Sequence, residues 1–303
     1  MKFIKLNTFY FTIIVVTFIT CGIPFVSAKK LNNPLHVFVS IMPQAYFVER
    51  IGGNRISVEV LVPPGKNPSN YTPPPSQIKK LKNATLFFRI GVPSENSLIP
   101  KIKTSADRLK IIDTREGIKL RKMDAGHHHS HSGNHHNQFI ANGKDPHIWM
   151  SPLLVKRQAE TIYHALVRID PDGKNEYKAN LKTFTSDMLA LNKKIKDRLA
   201  PFKGKPILVF HPVFGYFADA YGLEQIAVET EGKPPKGKHL SFIIKKAKQK
   251  NIRVIFAQPQ FGTNAVTTVA KAINGKVVFF NPLARDYINN LEVITDHVAK
   301  ALQ

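Results

Sequence analysis

Histidines are the residues of this 303-residue chain best suited to bind a transition metal, because imidazole is a borderline-soft ligand for Zn²⁺, Cu²⁺ and Ni²⁺. His211 directly follows the apolar run 207–210. In an open α/β sheet, a polar residue at the end of a buried strand is placed where a cleft ligand is expected. His147 lies in the proline-containing segment 145–152. A loop histidine is more often a surface or hydrogen-bonded residue than a ligand, so His147 alone does not indicate a metal site.

Six further histidines are concentrated in one short polar stretch, at His127, His128, His129, His131, His135 and His136. Ser, Gly and Asn separate them, and no packed core can form from this composition, so we predict a flexible, exposed loop. Such a loop can bind metal ions weakly and in several ways, because nothing fixes a coordination geometry. The alternative is a solvated linker. A cloning tag is not expected inside a chain.

The remaining residues give no enzyme signature. The chain contains none of the motifs His-Glu-x-x-His, Gly-x-Ser-x-Gly, Gly-x-x-x-x-Gly-Lys and Gly-x-Gly-x-x-Gly, which mark zinc hydrolases, α/β-hydrolases, phosphate-binding loops and dinucleotide-binding folds. The isolated histidines are expected to be structural or surface residues: His36, His164, His239 and His297. The sequence therefore favours binding over catalysis.

The elements that must position these residues are short strands alternating with helices. Eight runs of β-branched and aromatic residues are separated by helix-length segments, at 35–40, 58–62, 86–90, 109–112, 207–210, 225–228, 254–257 and 276–280. This alternation is typical of βα units that build a mostly parallel sheet. We predict an α/β protein of two lobes, in which ligands collect beyond the carboxyl ends of the strands.

One long helix is predicted between the lobes. Apolar residues recur every three or four positions across 175–200, which makes one helical stripe that ends before Pro201. A coiled-coil oligomer is the rival interpretation, but an isolated stretch without sustained charge pairing favours a packed helix that spans both lobes. We predict a first lobe at 29–152, a linking helical segment at 153–203 and a second lobe at 204–303.

The N-terminus has the layout of a secretory signal peptide. Two lysines precede an apolar run at 9–19, and small residues precede a cleavage site after Ala28. The run is shorter than the roughly 20 residues that a membrane-spanning helix needs. We therefore predict a cleaved signal peptide at 1–28 and a periplasmic or other extracytoplasmic location. Lipid anchoring at Cys21 is less favoured, because the residues before it lack the small side chains of a lipidation site.

A formal net charge of +23 would ordinarily suggest nucleic acid or an anionic membrane surface as the partner. Here the lysines are scattered over amphipathic segments, with no single basic stripe and no aromatic RNA-binding signature. Export also separates the chain from most nucleic acid. We therefore expect no nucleic-acid partner.

Ordered motifs extend over nearly the whole mature chain, at 40–47, 62–65, 71–73, 145–149, 211–216, 258–261 and 281–284. With these motifs the chain resembles the zinc and manganese solute-binding proteins of ABC importers, in particular their zinc-uptake (ZnuA-like) branch in the TroA superfamily. A His-rich loop ahead of the Asp-Pro-His motif at Asp145 to His147 is also a feature of that branch.

The resemblance implies a rigid bilobed binder with one metal site in its cleft, which in the zinc branch is usually built from three histidines plus a carboxylate or water. His147 and His211 match two of these ligands. Ser69 stands where the family has His, and Asn281 stands where it has Asp. Zinc sites are typically tetrahedral, and a buried dication needs compensating charge, so we expect weak binding.

Three accounts of the site are open. Ser69 and Asn281 complete a weak site through their side-chain oxygens, or a loop histidine enters the gap, or the cleft has lost its metal and binds another ligand. Glu229 and Glu231 are candidate substitute carboxylates, although most such residues face solvent.

The sequence thus predicts an exported, monomeric receptor for Zn²⁺, with Mn²⁺ less favoured, that delivers its ion to the membrane permease of an ABC importer with its ATPase. His147, His211, Ser69 and Asn281 are the predicted cleft ligands, and the six histidines of 127–136 are accessory ligands. The alternative is a metal-scavenging or surface interaction protein that uses the His-rich loop and has a degenerate cleft. An enzyme is the least favoured class, because no general base lies beside either cleft histidine in sequence.

Overall fold

The computed structural model describes residues 34–123, 143–229, 237–260 and 263–303. The predicted signal peptide at 1–28 with Cys21, the His-rich loop at 127–136 and Glu231 lie outside the described residues. The expectations for them stay predictions.

Strands and helices alternate along both halves of the chain. The first half contains β1 (Leu35–Val39), α1 (Met42–Gly52), β2 (Ile56–Val60), α2 (Pro75–Lys82), β3 (Leu86–Arg89), α3 (Ser94–Lys103) and β4 (Lys110–Asp113). Two helices follow, α4 (Pro152–Ile169) and α5 (Lys174–Leu199). The second half contains β5 (Pro206–Val209), α6 (Gly215–Tyr221), β6 (Glu224–Ala227), α7 (Gly237–Gln249), β7 (Val254–Ala257), α8 (Thr263–Ala272), β8 (Lys276–Phe279) and α9 (Tyr287–Leu302).

Each half builds a four-stranded sheet, with strand order β2-β1-β3-β4 in the first lobe and β6-β5-β7-β8 in the second. Neighbouring strands pair in parallel in both sheets. This arrangement confirms the predicted α/β class with two parallel-sheet lobes. The strand order reverses between β1 and β3 and again between β5 and β7, and open α/β sheets bind ligands beside such a reversal.

Local sequence explains how these elements begin and end. Proline lies in the first turn of α1, α2 and α4, where its missing N–H removes no helical hydrogen bond. Gly222 ends α6 in the left-handed region at φ 73°, which glycine adopts without a steric penalty. All four residues of β7 are buried, as expected of a central strand covered on both faces.

The predicted linking helix is present as α5. Its buried residues lie on one face: Tyr177, Phe184, Met188, Leu191, Ile195 and Leu199. That face packs on α4, on α1 of the first lobe and on α9 of the second. The apolar stripe is therefore covered within the chain. None of the helices in the described ranges is both long and apolar enough to cross a membrane.

One hydrophobic cluster is shared by the two lobes, and each lobe has a further cluster of its own. A single cluster of buried side chains joins Phe88 of β3 and Phe256 of β7 through the helices between them. Trp149 Nε1 donates a hydrogen bond to the Pro282 carbonyl at 2.9 Å, and the Tyr287 hydroxyl donates to the Trp149 carbonyl at 2.7 Å. These contacts hold the lobes in one relative position.

Candidate metal centre

A small cavity of about 60 Å³ lies between the two lobes. Loops that follow strands of both sheets line it, with Ser69 after β2, Val92 after β3, His211 after β5, Gln258 after β7 and Pro282 after β8. His147 reaches the cavity from the segment that precedes α4. The cavity thus lies beyond the carboxyl ends of the strands, where ligand binding was predicted.

Two imidazoles face each other in this cavity. His147 Nε2 and His211 Nε2 are 3.3 Å apart, and the two ring planes are inclined at 83°. His147 is followed by a short 3₁₀ turn, Ile148–Met150, and contacts the ring of Trp149 edge to face with the ring centroids 5.1 Å apart. The fold therefore brings together one predicted ligand from each lobe.

A buried carboxylate holds each imidazole on the side away from its partner. His147 Nδ1 lies 2.7 Å from Asp145 Oδ1, and His211 Nδ1 lies 2.5 Å from Glu229 Oε2. Asp145 and Glu229 are 0% and 2% exposed. Because a carboxylate can only accept, each Nδ1 carries the proton and each Nε2 keeps its lone pair. Both lone pairs are therefore available to a cation in the cavity.

The separation of the two Nε2 atoms suits a zinc ion. Zn–N bonds of about 2.0–2.1 Å at a tetrahedral angle place two ligand nitrogens roughly 3.3–3.4 Å apart. The observed distance is 3.3 Å. Two lone pairs at this distance repel each other unless a cation or a proton lies between them. Metal ions and protons therefore compete for the same position.

Charged side chains around the histidines balance a dication in part. Burial lowers the pKa of His211, while its hydrogen bond to Glu229 acts in the opposite direction, so the ring is biased toward its neutral, metal-binding form. Arg121 Nη1 lies 3.3 Å from Asp145 Oδ2, and Arg121 Nε lies 3.0 Å from Asp219 Oδ2. Asp145 and Glu229 are two buried carboxylates, and Arg121 offsets the first only in part because it also pairs with Asp219.

The two other predicted ligands lie in different surroundings. Ser69 lines the cavity but is exposed, and its N–H donates to Asn67 Oδ1 at 2.9 Å. Asn281 lines a neighbouring cavity, where its Oδ1 accepts a hydrogen bond from the Leu283 N–H at 3.0 Å. The structure therefore groups Ser69 with the two histidines and places Asn281 outside that group.

Among the described residues, no three His, Cys, Asp or Glu side chains are arranged to hold a metal ion. Glu229, a candidate substitute ligand, binds His211 instead of facing the cavity as a free carboxylate. Of the isolated histidines, His36 lies elsewhere, with its Nε2 3.0 Å from Glu59 Oε1. The complete ligand set stays a prediction.

The described residues on either side of 124–142 are joined by backbone hydrogen bonds close to the cavity. The Met123 N–H donates to the Gly143 carbonyl at 2.8 Å, and the Asp145 N–H donates to the Arg121 carbonyl at 3.0 Å. Met123 itself lines the cavity. Met123 and Gly143 thus lie next to each other near His147, and the role of the loop histidines stays a prediction.

Strand register explains the pairing of His211 with Glu229, which the sequence analysis did not foresee. The parallel pairing of β5 with β6 sets Val209 opposite Ala227. Two residues further along both strands, the same register brings His211 beside Glu229. The available signal was a polar residue two places beyond each of two neighbouring strands.

Asp145 and Gln258 also lie at the site, although their residue types and spacing did not predict this. Asp145 precedes His147 by two residues, and its Oδ1 also accepts from the His147 N–H at 2.9 Å, which is a turn that Asp favours at this spacing. Gln258 belongs to a recognised motif but carried no assigned function. Its position directly after β7 was the signal for a residue that lines the cleft.

The family model described as the periplasmic zinc-uptake complex component A, ZnuA, matches residues 37–301. The high-affinity zinc uptake system protein ZnuA of Yersinia pestis is 27% identical over 91% of this chain and 96% of its own length. A crystal structure of ZnuA is 36% identical, with a TM-score of 0.81 over 89% of this chain and 100% of that chain. A deletion mutant of ZnuA with bound zinc has the same identity and TM-score over 89% and 99% of the two chains. Because the family model matches residues 37–301, which is most of the chain, this protein belongs to the ZnuA family of periplasmic zinc-uptake components.

Proposed function

We propose that this protein is the exported substrate-binding component of a zinc ABC importer and that it captures Zn²⁺ between His147 and His211. The observation that carries the proposal is the pair of Nε2 atoms 3.3 Å apart, each on an imidazole held by a buried carboxylate. Membership of the ZnuA family supports it, because the relatives are named for zinc uptake.

Zn²⁺ fits the donor set better than Mn²⁺ does. Imidazole nitrogens suit zinc, whereas Mn²⁺ prefers carboxylate, carbonyl and water oxygens. The two buried carboxylates near the cavity, Asp145 and Glu229, are engaged by imidazole nitrogens. The nitrogen donors therefore select the ion, and the carboxylates act on it through the rings.

Delivery completes the proposed function. The protein acts as a monomer outside the cytoplasmic membrane, after cleavage of the signal peptide at 1–28, and passes Zn²⁺ to a permease that an ATPase drives. The zinc ion is cargo, and no catalytic step is part of the proposal.

Calorimetric titration tests the cleft site separately from the loop. The protein is the full mature chain in which the six histidines of 127–136 are replaced by Asn. We expect one Zn²⁺ per chain, weaker binding of Mn²⁺, and loss of the site in His147→Ala and in His211→Ala. His36→Ala removes a histidine that pairs with Glu59 away from the cavity and should bind zinc normally. Zinc binding that survives both cleft substitutions contradicts the proposal.

The six histidines of 127–136 favour a second candidate function, a metal scavenger or surface interaction protein that binds ions through the loop. The same titration separates the two functions. A transport receptor keeps one site after the loop histidines are replaced, whereas a scavenger loses all of its binding.

A further inference from the structure

Gln258 is a buried amide whose two polar atoms both lack hydrogen-bond partners within the described part of the chain. It directly follows β7 and is 2% exposed, and neither its Oε1 nor its Nε2 makes a hydrogen bond there. The same residue lines the cavity that contains His147 and His211. Most buried polar groups in proteins form hydrogen bonds, so an amide without partners beside this cavity indicates a ligand or water as its partner.

The other buried glutamines of the described ranges are at least partly satisfied. Gln44 Oε1 accepts from the Ser40 N–H at 3.0 Å, and Gln44 Nε2 donates to Thr114 Oγ1 at 3.2 Å. Gln158 Oε1 lies 3.4 Å from Thr114 Oγ1, whose hydroxyl also donates to the Arg89 carbonyl at 2.8 Å, and Gln158 Nε2 has no partner among these residues. Burying an amide without hydrogen bonds costs free energy, so the isolation of Gln258 is not the usual outcome for this residue type.

The cavity is where this amide can be satisfied. Several residues that share the lining have no polar side-chain atoms, namely Val92, Pro93, Val213 and Pro282. The volume of about 60 Å³ exceeds the roughly 10–15 Å³ that one water needs. The cavity that Gln258 lines therefore has room for a metal ion and a water molecule.

We infer that Gln258 is the third polar group of the cation site, and that its Oε1 holds the ion either directly or by accepting a hydrogen bond from a metal-bound water. The inference rests on the proposed function. His147 and His211 supply two of the four ligands of a tetrahedral zinc ion. The amide oxygen supplies a further contact on the second lobe, where the family histidine is replaced by Ser69 on the first.

A buried carboxylate at the same position should depend strongly on the ion. In Gln258→Glu, the protein without metal must bury a carboxyl group that has no partner, which lowers its thermal midpoint. Bound Zn²⁺ would neutralise that carboxylate. We expect the zinc-induced rise of the thermal midpoint to be larger in Gln258→Glu than in the parent chain.

The decisive comparison uses two methionine substitutions of similar size to glutamine, in the full chain with the loop histidines replaced by Asn. Gln258→Met should weaken Zn²⁺ binding about tenfold or more, while the thermal midpoint without metal stays the same or rises, because an unpartnered amide leaves the interior. Gln158→Met is the matched control. It also removes a buried glutamine, but away from the cavity, and should keep the zinc affinity of the parent.

Each outcome of this titration has one meaning. Parent-like zinc affinity in Gln258→Met overturns the inference about Gln258 and leaves the proposed function intact, provided that His147→Ala and His211→Ala still lose the ion. Zinc binding that survives those two histidine substitutions overturns the proposed function. A parent chain that binds no zinc overturns both.

A crystal structure with zinc separates the two modes of contact. A direct bond places Gln258 Oε1 about 2.0–2.2 Å from the ion, and a bridging water places it farther away with the water between. Either arrangement supports the inference. An amide that points away from the ion contradicts it.

Discussion

Ser69 lines the cavity and is exposed, and the resemblance of the sequence to the family implies a histidine at this position. Ser69→His should place a third imidazole beside the other two and tighten Zn²⁺ binding by about tenfold or more, since each added ligand replaces water. Asn70→His puts the same side chain on the neighbouring exposed residue, which does not line the cavity, and serves as the control. Equal affinities for the two variants in calorimetry would show that the site is built around other groups.

Glu229 positions His211 and does not need to touch the ion. Glu229→Gln keeps the size of the side chain but removes the charge that fixes the ring and strengthens it as a donor, so zinc affinity should fall roughly 10–100-fold. Glu224→Gln is the matched surface change, because Glu224 pairs with Lys246 of α7 and with Lys250, which follows that helix. It should leave the affinity unchanged, and an equal loss in both variants would exclude a specific effect of Glu229.

Protons should displace the ion as the pH falls. Burial lowers the pKa of His211 below the ordinary value of 6.5, so the unfolded chain binds this proton at a higher pH than the folded chain does. The contribution to stability is therefore complete above 6.5 and is lost as the pH falls through the lower folded value. Zinc affinity measured at pH 7.5, 6.5 and 5.5 should decrease in that order. A pH-independent affinity would argue against histidine ligands.

Helix α5 connects the two lobes, because its buried face packs on both of them. Phe184 is 0% exposed and contacts Phe47 with the ring centroids 5.9 Å apart. Phe184→Ala should lower the free energy of unfolding by about 3–5 kcal/mol through lost burial and a cavity. Leu189→Ala, at a position 48% exposed on the same helix, should change it by less than about 0.5 kcal/mol. Denaturant titration measures both, and similar losses would contradict the assigned helix face.

The helices and strands were largely predictable from the sequence, because hydrophobic periodicity and residue type distinguish strands from helices. Each of the eight predicted runs overlaps an observed strand, and the stripe at 175–200 is α5. The site was predictable only in part. Motif and strand ends indicated His147 and His211, whereas the partnership with Glu229 depends on the register between two strands. The lack of hydrogen-bond partners for Gln258 depends on which side chains surround it in the folded protein. No local sequence pattern predicts this.

At the scale of the whole molecule, one hydrophobic cluster extends through both lobes and α5. A shared core predicts that the lobes unfold together, in a single calorimetric transition with or without metal. Zn²⁺ should raise the midpoint of that transition, because it binds the folded state, and should leave the radius of gyration from X-ray scattering nearly unchanged. Two resolved transitions, or a marked compaction with zinc, would contradict a rigid arrangement.

His147 and His211 belong to different lobes, so the relative position of the lobes determines whether both imidazoles can hold one ion. In the proposed site the pair would act as a two-armed chelate, in which the second nitrogen binds at the high local concentration that the fixed spacing of 3.3 Å provides. A displacement of one lobe by a few ångströms would leave the ion on a single arm, and one imidazole holds a dication poorly in water. A partner protein that docks across both lobes and shifts one of them against the packing of α5 would therefore weaken the site without unfolding either lobe.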